Sequence, residues 1–233
     1  MRIPLEFNAT TLDGRLEGFT QVHKHMRLSI AVNLVNQTCE TVQPAEPLLA
    51  EAAHHIINAK HINQANELLR VFGGPSISKG DRGEFTCVLL WLLARDRTVQ
   101  KGNSRVIKVL DLMDNLLAMP WHNTVRDAYP SELEKDEDSV PFREAFKDAV
   151  TYFTQFIKVH DAKVINRSFL WVALARGAAI LCANNQDGLD IIIPFLIKNE
   201  CLSRKLLSAI IIQDRSRTGR HTVQAPMVYF SIL

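Results

Sequence analysis

The hydrophobic pattern changes character along the chain. From Phe19 to about Cys39, Val22, Met26, Ile30, Leu34 and Val35 recur at spacings that predict an amphipathic helix. Residues 48–72 keep helical period through Leu48, Leu49, Ala52, Ile56, Ile57, Ile62, Ala65, Leu68, Leu69 and Phe72, with a break expected near Lys60. Gly73-Gly74-Pro75 stops that element. Asp81, with Glu84 three residues on, then precedes the run FTCVLLWLLA and reads as a capping-box start for a largely buried helix. Helices are also expected over 105–118, 142–158 and Arg167–Ala175. Pro120 to Val140 carries Pro130 and a run of acids (Glu132, Glu134, Asp136, Glu137, Asp138), so it reads as an exposed loop.

Past Gly177 the pattern turns to strands. Ala178–Ala183 and Leu189–Phe195 are short apolar runs separated by the turn signal Asn184-Asn185-Gln186-Asp187-Gly188, which predicts a β-hairpin. Leu206–Ile212, with three consecutive isoleucines, gives a third strand, and Met227–Leu233 a last one. The fold class expected is α+β: a helix-rich N-terminal region over 1–140 and a small C-terminal mixed β-sheet over 141–233, with 82–97 available to join the second unit.

Composition adds bounds rather than a function. The chain has 233 residues, 47% hydrophobic and 22% charged, enough to bury a core and unlike a disordered segment. A formal net charge of +2 permits a phosphate-bearing partner without requiring one. Lys198, Arg204, Lys205, Arg215, Arg217, Arg220 and His221 make the C-terminal third locally basic, which suits a phosphate backbone and equally a solubilising surface. Cys39, Cys87, Cys182 and Cys201 show no metal-ligand spacing; Cys87 and Cys182 lie in apolar runs and are expected as buried free thiols. The N-terminal stretch lacks the apolar region of a secretory signal and no apolar run approaches membrane-spanning length. An intracellular setting, cytoplasmic or nuclear, and no membrane partner are therefore expected. His54 and His61 stand one heptad apart, but no carboxylate or thiol completes a metal set with them, and they are expected as exposed or capping residues.

The chemistry worth weighing sits on the strands. Asp190 begins the second strand, and Gln213-Asp214-Arg215 ends the third, its first and third side chains sharing a face. An acid on one strand and a polar-x-basic triplet on its antiparallel neighbour is a layout that serves metal-assisted phosphodiester hydrolysis. The bland alternative is an Asp after a turn glycine and a strand with a polar end. For Glu84 the bland reading is a first-turn acid that favours the helix dipole.

The entry Gly188-Leu189-Asp190 and the triplet Gln213-x-Arg215 resemble the PD-(D/E)XK, restriction-endonuclease-like superfamily. The phrases RGEFTCVLLWLLARD and RGAAILCANNQDGLDIIIP are similar to a group of fungal proteins with a nuclease-like C-terminal part, over roughly Leu48 to Arg215. The resemblance implies a helix–strand–strand–strand–helix–strand core and a metal-dependent nuclease acting on DNA or RNA, in active or degenerate form. Asp190 and Gln213 would be ligands of Mg²⁺, Arg215 would stand in the lysine position, and Glu84 would be an outer ligand from a core helix. Only 18 residues follow Arg215, so an incomplete core is expected. Arg215 differs from lysine in staying protonated, with a planar and bulkier head. The alternative is a non-catalytic helical module that binds protein or nucleic acid.

Overall fold

The computed structural model of the chain describes residues 28–33, 38–42, 46–72, 79–102, 104–129, 139–183, 189–198, 203–213 and 227–231. Among these are seven α-helices and nine strands in an α+β arrangement. The first described elements depart from the pattern reading. β1 (Leu28–Asn33) and β2 (Thr38–Val42) form an antiparallel hairpin where a helix was expected, with an irregularity between Ser29 and Ala31. Apolar spacings of four are even numbers and fit a period of two as well as 3.6. In the sequence Leu28, Ile30 and Val32 alternate with Ser29 and Asn33, a pattern compatible with the extended backbone found there.

Helices α1 (Glu46–Ala59) and α2 (Gln64–Phe72) agree with the expected helix interrupted near Lys60. His61 adopts a left-handed φ of 49° at the break, and the Asn63 side chain caps α2 by accepting from the Asn66 amide at 3.1 Å. Helix α3 (Lys79–Gly102) starts earlier than expected, so Asp81 lies inside it and Glu84 in its second turn. Its core residues are Cys87, Val88, Trp91, Leu92 and Ala94. The helix expected over 105–118 is a two-residue strand, β3 (Ile107–Lys108), followed by α4 (Val109–Leu116). A short helix, α5 (His122–Arg126), interrupts the expected loop, whose acidic run lies outside the described residues.

The helix expected over 142–158 is not there. A single turn, α6 (Phe142–Ala145), leads into β4 (Val150–Thr151) and β5 (Gln155–Lys158). Phe142, Phe146, Phe153 and Phe156 sit at helix-compatible spacings, yet Thr151, Thr154 and Gln155 between them are also buried. A stretch buried on every side carries no record of a solvent face, so periodicity cannot distinguish helix from strand there. The β-branched and aromatic content of TYFTQFI then favours extended backbone.

Helix α7 (Arg167–Ala175) has the expected bounds and is capped by Asn166, whose side chain accepts from the Phe169 amide at 3.0 Å. It leads through Gly177 into β6 (Ala178–Leu181), β7 (Ile191–Leu196) and β8 (Leu207–Gln213), with β9 (Met227–Ser231) beyond. The three strands from Gly177 to Gln213 and the final one agree with the pattern reading. Gly177 has φ +61°, and a β-carbon there would lie 2.7 Å from the Tyr152 ring, so both backbone and space demand glycine.

The seven-stranded sheet runs β9–β8–β7–β6–β5, with β3–β4 joined to β7 beyond the end of β6. β6, β7, β8 and β9 are antiparallel neighbours, while β5 and β6 are parallel and joined through α7. One edge of β7 is thus shared: Ile191 and Ile192 pair with β6, and Phe195 and Leu196 with β4. Pro194, unusual in an interior strand because it has no N–H, falls in the interval between the two. Its carbonyl accepts the Thr151 hydroxyl at 2.8 Å.

All six residues of β7 are buried, because each sheet face is covered. On one face Ile191, Ile193, Phe195, Ile210 and Ile212 meet α3 and α4 through Trp91, Leu92, Leu112 and Met113. On the other, Ile192, Leu196, Leu207 and Ala209 meet Leu170, Ala173 and Leu174 of α7. Cys87 and Cys182 are buried and outside any disulfide, as expected. No helix among the described residues is long and apolar enough to cross a membrane.

Candidate functional site

Asp190 and Gln213 lie at the same end of the sheet. The β7–β8 register begins at Ile191 paired with Ile212, and Asp190 is the bend residue just before it. Backbone bonds hold Asp190 between the neighbouring strands: its amide donates to the Ile212 carbonyl at 3.0 Å, one residue out of the ladder's register, and the Cys182 amide donates to the Asp190 carbonyl at 2.8 Å. Cys182 lies on the α7 face of the sheet with Ile192 and Leu196. Asp190 and Gln213 are both half-buried.

Glu84 comes from α3, the helix on the opposite face, and is also half-buried. It does not stand on the helix that immediately precedes the three-strand meander; that helix is α7, which carries no acid. Yet Glu84 and Asp190 bear on one group. Burial, then the charges of Asp190 and Glu84, push the Cys182 thiol up to about 12. The thiol is therefore inert as a nucleophile at neutral pH. Arg215 lies outside the described residues, as do Arg217, Arg220 and His221.

Mg²⁺ takes oxygen donors, often one or two carboxylates completed by water and phosphate. Asp190 and Gln213 carry oxygen donors of that kind at one end of the sheet. Among the described residues no three His, Cys, Asp or Glu side chains gather to hold a metal ion, so Glu84, Asp190 and Cys182 do not form a closed protein cage.

Lys198, Arg204 and Lys205 cluster at the other end of β7 and β8 from Asp190 and Gln213, about 20 Å away at the rise of an extended strand, and do not line this site. Arg167 fixes that far end by donating to the Arg204 and Lys205 carbonyls at 3.0 and 3.2 Å. His54, expected exposed or capping, is 4% exposed, with Nδ1 2.9 Å from Asp96 Oδ2. His61 is exposed, as expected.

His54 belongs to a buried polar cluster that pattern reading missed. Glu51 and His54 of α1 meet Arg95 and Asp96 of α3; Glu51 bonds Arg95, whose guanidinium also donates to Asp96 at 3.1 Å. A signal was present: Arg95 follows Val88, Trp91 and Leu92 on the buried stripe of α3, where a charge requires a partner. A separate groove of about 700 Å³ opens between α3, α4 and α5, lined by Lys101, Lys108, Asp111, Asn115 and His122 among others. Lys101 there donates to Asn115 at 2.7 Å, and Asp114 holds Arg126 at 2.5 and 3.1 Å, raising the Arg126 pKa.

The chain matches no protein-family model, no curated protein and no solved structure.

Proposed function

We propose that the sheet end carrying Asp190 and Gln213 is the site of a metal-dependent phosphodiesterase, a nuclease of the PD-(D/E)XK kind acting on DNA or RNA inside the cell. The observation that supports this reading is the backbone bond from the Asp190 amide to the Ile212 carbonyl, which brings Asp190 to the strand end that carries Gln213. The order α7–β6–β7–β8 also supports it, as a helix followed by a three-strand meander. Asp190 supplies the charged oxygen that would hold Mg²⁺, and Gln213 a neutral oxygen beside it. When bound, the cation would supply Lewis acidity and an activated water. Glu84 adds negative charge from the α3 side and is assigned an outer role. Arg215 stands in the lysine position; a permanently protonated guanidinium can neutralise developing phosphate charge but cannot take up a proton.

The test is cleavage of single- and double-stranded DNA and RNA by the purified chain with Mg²⁺ or Mn²⁺. Cutting that is lost in Asp190→Ala, at unchanged melting temperature, is the expected outcome. Cutting that survives this substitution would remove Asp190 from the chemistry. One observation favours a second reading: no set of three metal-ligating side chains occurs among the described residues. A non-catalytic module that keeps the scaffold and binds nucleic acid or protein would give binding without cutting in the wild type.

A further inference from the structure

We infer that α1 and α2 form an arm that opens from α3 as a unit, held shut by the buried ionic cluster of Glu51, His54, Arg95 and Asp96. The inference does not depend on the nuclease reading. Among the described residues, neither apolar core includes any member from α1 or α2, nor does any residue of these helices pack against either core as a partly buried hydrophobic. α2 has no buried residue at all. Its Leu69 is 63% exposed and Val71 42%, with Ile56 and Ile62 similarly open. What is buried in the arm is Ala50, Glu51 and His54, and two of these three are polar.

α1 also touches β5, and α2 touches α3, but the side chains the arm buries are chiefly polar. Arg95 is fully buried and reaches both carboxylates, Glu51 across the interface and Asp96 on its own helix. His54 spans the same interface to Asp96, while the Asn58 amide lies 3.1 Å from its Nε2. Such contacts are strong only while every partner is in place; removing one leaves a buried charge uncompensated. They also lack the area-proportional stabilisation that ties α3 and α7 to the sheet. The latch is imperfect even when closed, because the buried Nε of Arg95 has no hydrogen-bond partner. An element bound by few apolar contacts and a single polar cluster opens sub-globally, at lower free energy than the core. Opening exposes Arg95 and Asp96, making α3 a new charged surface.

Native-state hydrogen exchange on the full chain tests this. In the wild type, amides of α1 and α2 should exchange at least about 100-fold faster than those of β7 and β8, with weaker denaturant dependence. Arg95→Met should raise arm exchange by a further factor of about 100 and leave β7 and β8 unchanged. The paired change Glu51→Leu with Arg95→Met, which removes both charges of the cross-interface bond, should return arm exchange to within about tenfold of wild type. Arm and sheet amides exchanging together in the wild type would overturn the inference, whether or not the variants fold. It would equally be overturned by Arg95→Met accelerating arm and sheet alike, or by a paired variant as open as the single one.

Discussion

The sheet body and the α1–α2 arm are built on opposite principles. In the body, β7 buries all six of its residues, and helices on both faces contribute aliphatic and aromatic side chains. In the arm, the apolar side chains Ile56, Leu69 and Val71 look outward while Glu51 and His54 look in. Apolar burial is non-directional and sums over many contacts, so the body tolerates the loss of any one feature gradually. A charge cluster depends on each member, so the arm has a single point of failure.

That contrast can be broken or sharpened by three measurements, beyond the exchange experiment and the cleavage assay. The largest effect is expected from Phe195→Ala, which empties the centre of the α3-side core, where Phe195 is fully buried and meets Phe146 edge-on. Equilibrium denaturation should show a loss of about 3–5 kcal/mol for the cooperative transition of the body. A small loss would mean that the sheet is not the main source of stability.

Alkaline titration should act next, and on the body alone. Cys182 keeps its proton when folded up to about 12, whereas an unfolded thiol releases it near the ordinary cysteine value of about 8.5. The folded state then binds more protons, so stability is retained below the unfolded value and declines as pH rises through this window, by up to about tenfold in the folding constant per pH unit. Denaturation midpoints between pH 8 and 11 should fall more steeply for wild type than for Cys182→Ala; equal slopes would contradict the assignment.

The smallest change is expected from Leu69→Lys on the outer face of the arm. With that side chain 63% exposed, stability should stay within about 0.5 kcal/mol. A larger loss would mean that the face of α2 is covered in solution.

How much of this was legible beforehand follows the same physics. Arg167–Ala175, the three strands from Ala178 to Gln213 and the break near Lys60 were readable because a turn residue or cap marks each boundary: Asn166, Gly177 and His61. The antiparallel pairing of β7 with β8 followed from the strand lengths and the interval between the runs. The region 142–158 misled because Phe142, Phe146, Phe153 and Phe156 keep helical spacing, while residues 149–156 are buried almost throughout and leave no solvent face to read. Of Phe19–Cys39 only 28–33 and 38–39 are among the described residues, and there the reading misled because a spacing of four satisfies both periods. The Glu51–Arg95–Asp96–His54 cluster joins residues 44 positions apart, a distance that local pattern does not bridge. The basic side chains at 198, 204 and 205 looked close to Asp190 along the chain, but strand direction carries them to the far end of the sheet.

Pro194 carries one more implication. A strand flanked on a single edge by two short partners could slip by two residues with either of them and keep its inward and outward faces unchanged. With no donor at 194, any displaced ladder that covered this point would lose a bond at its centre. The ring thus works as a stop between β4 and β6, fixing each in its own half, and the frame it sets carries along β7 to Asp190 at one end and to the groove beside β3 at the other.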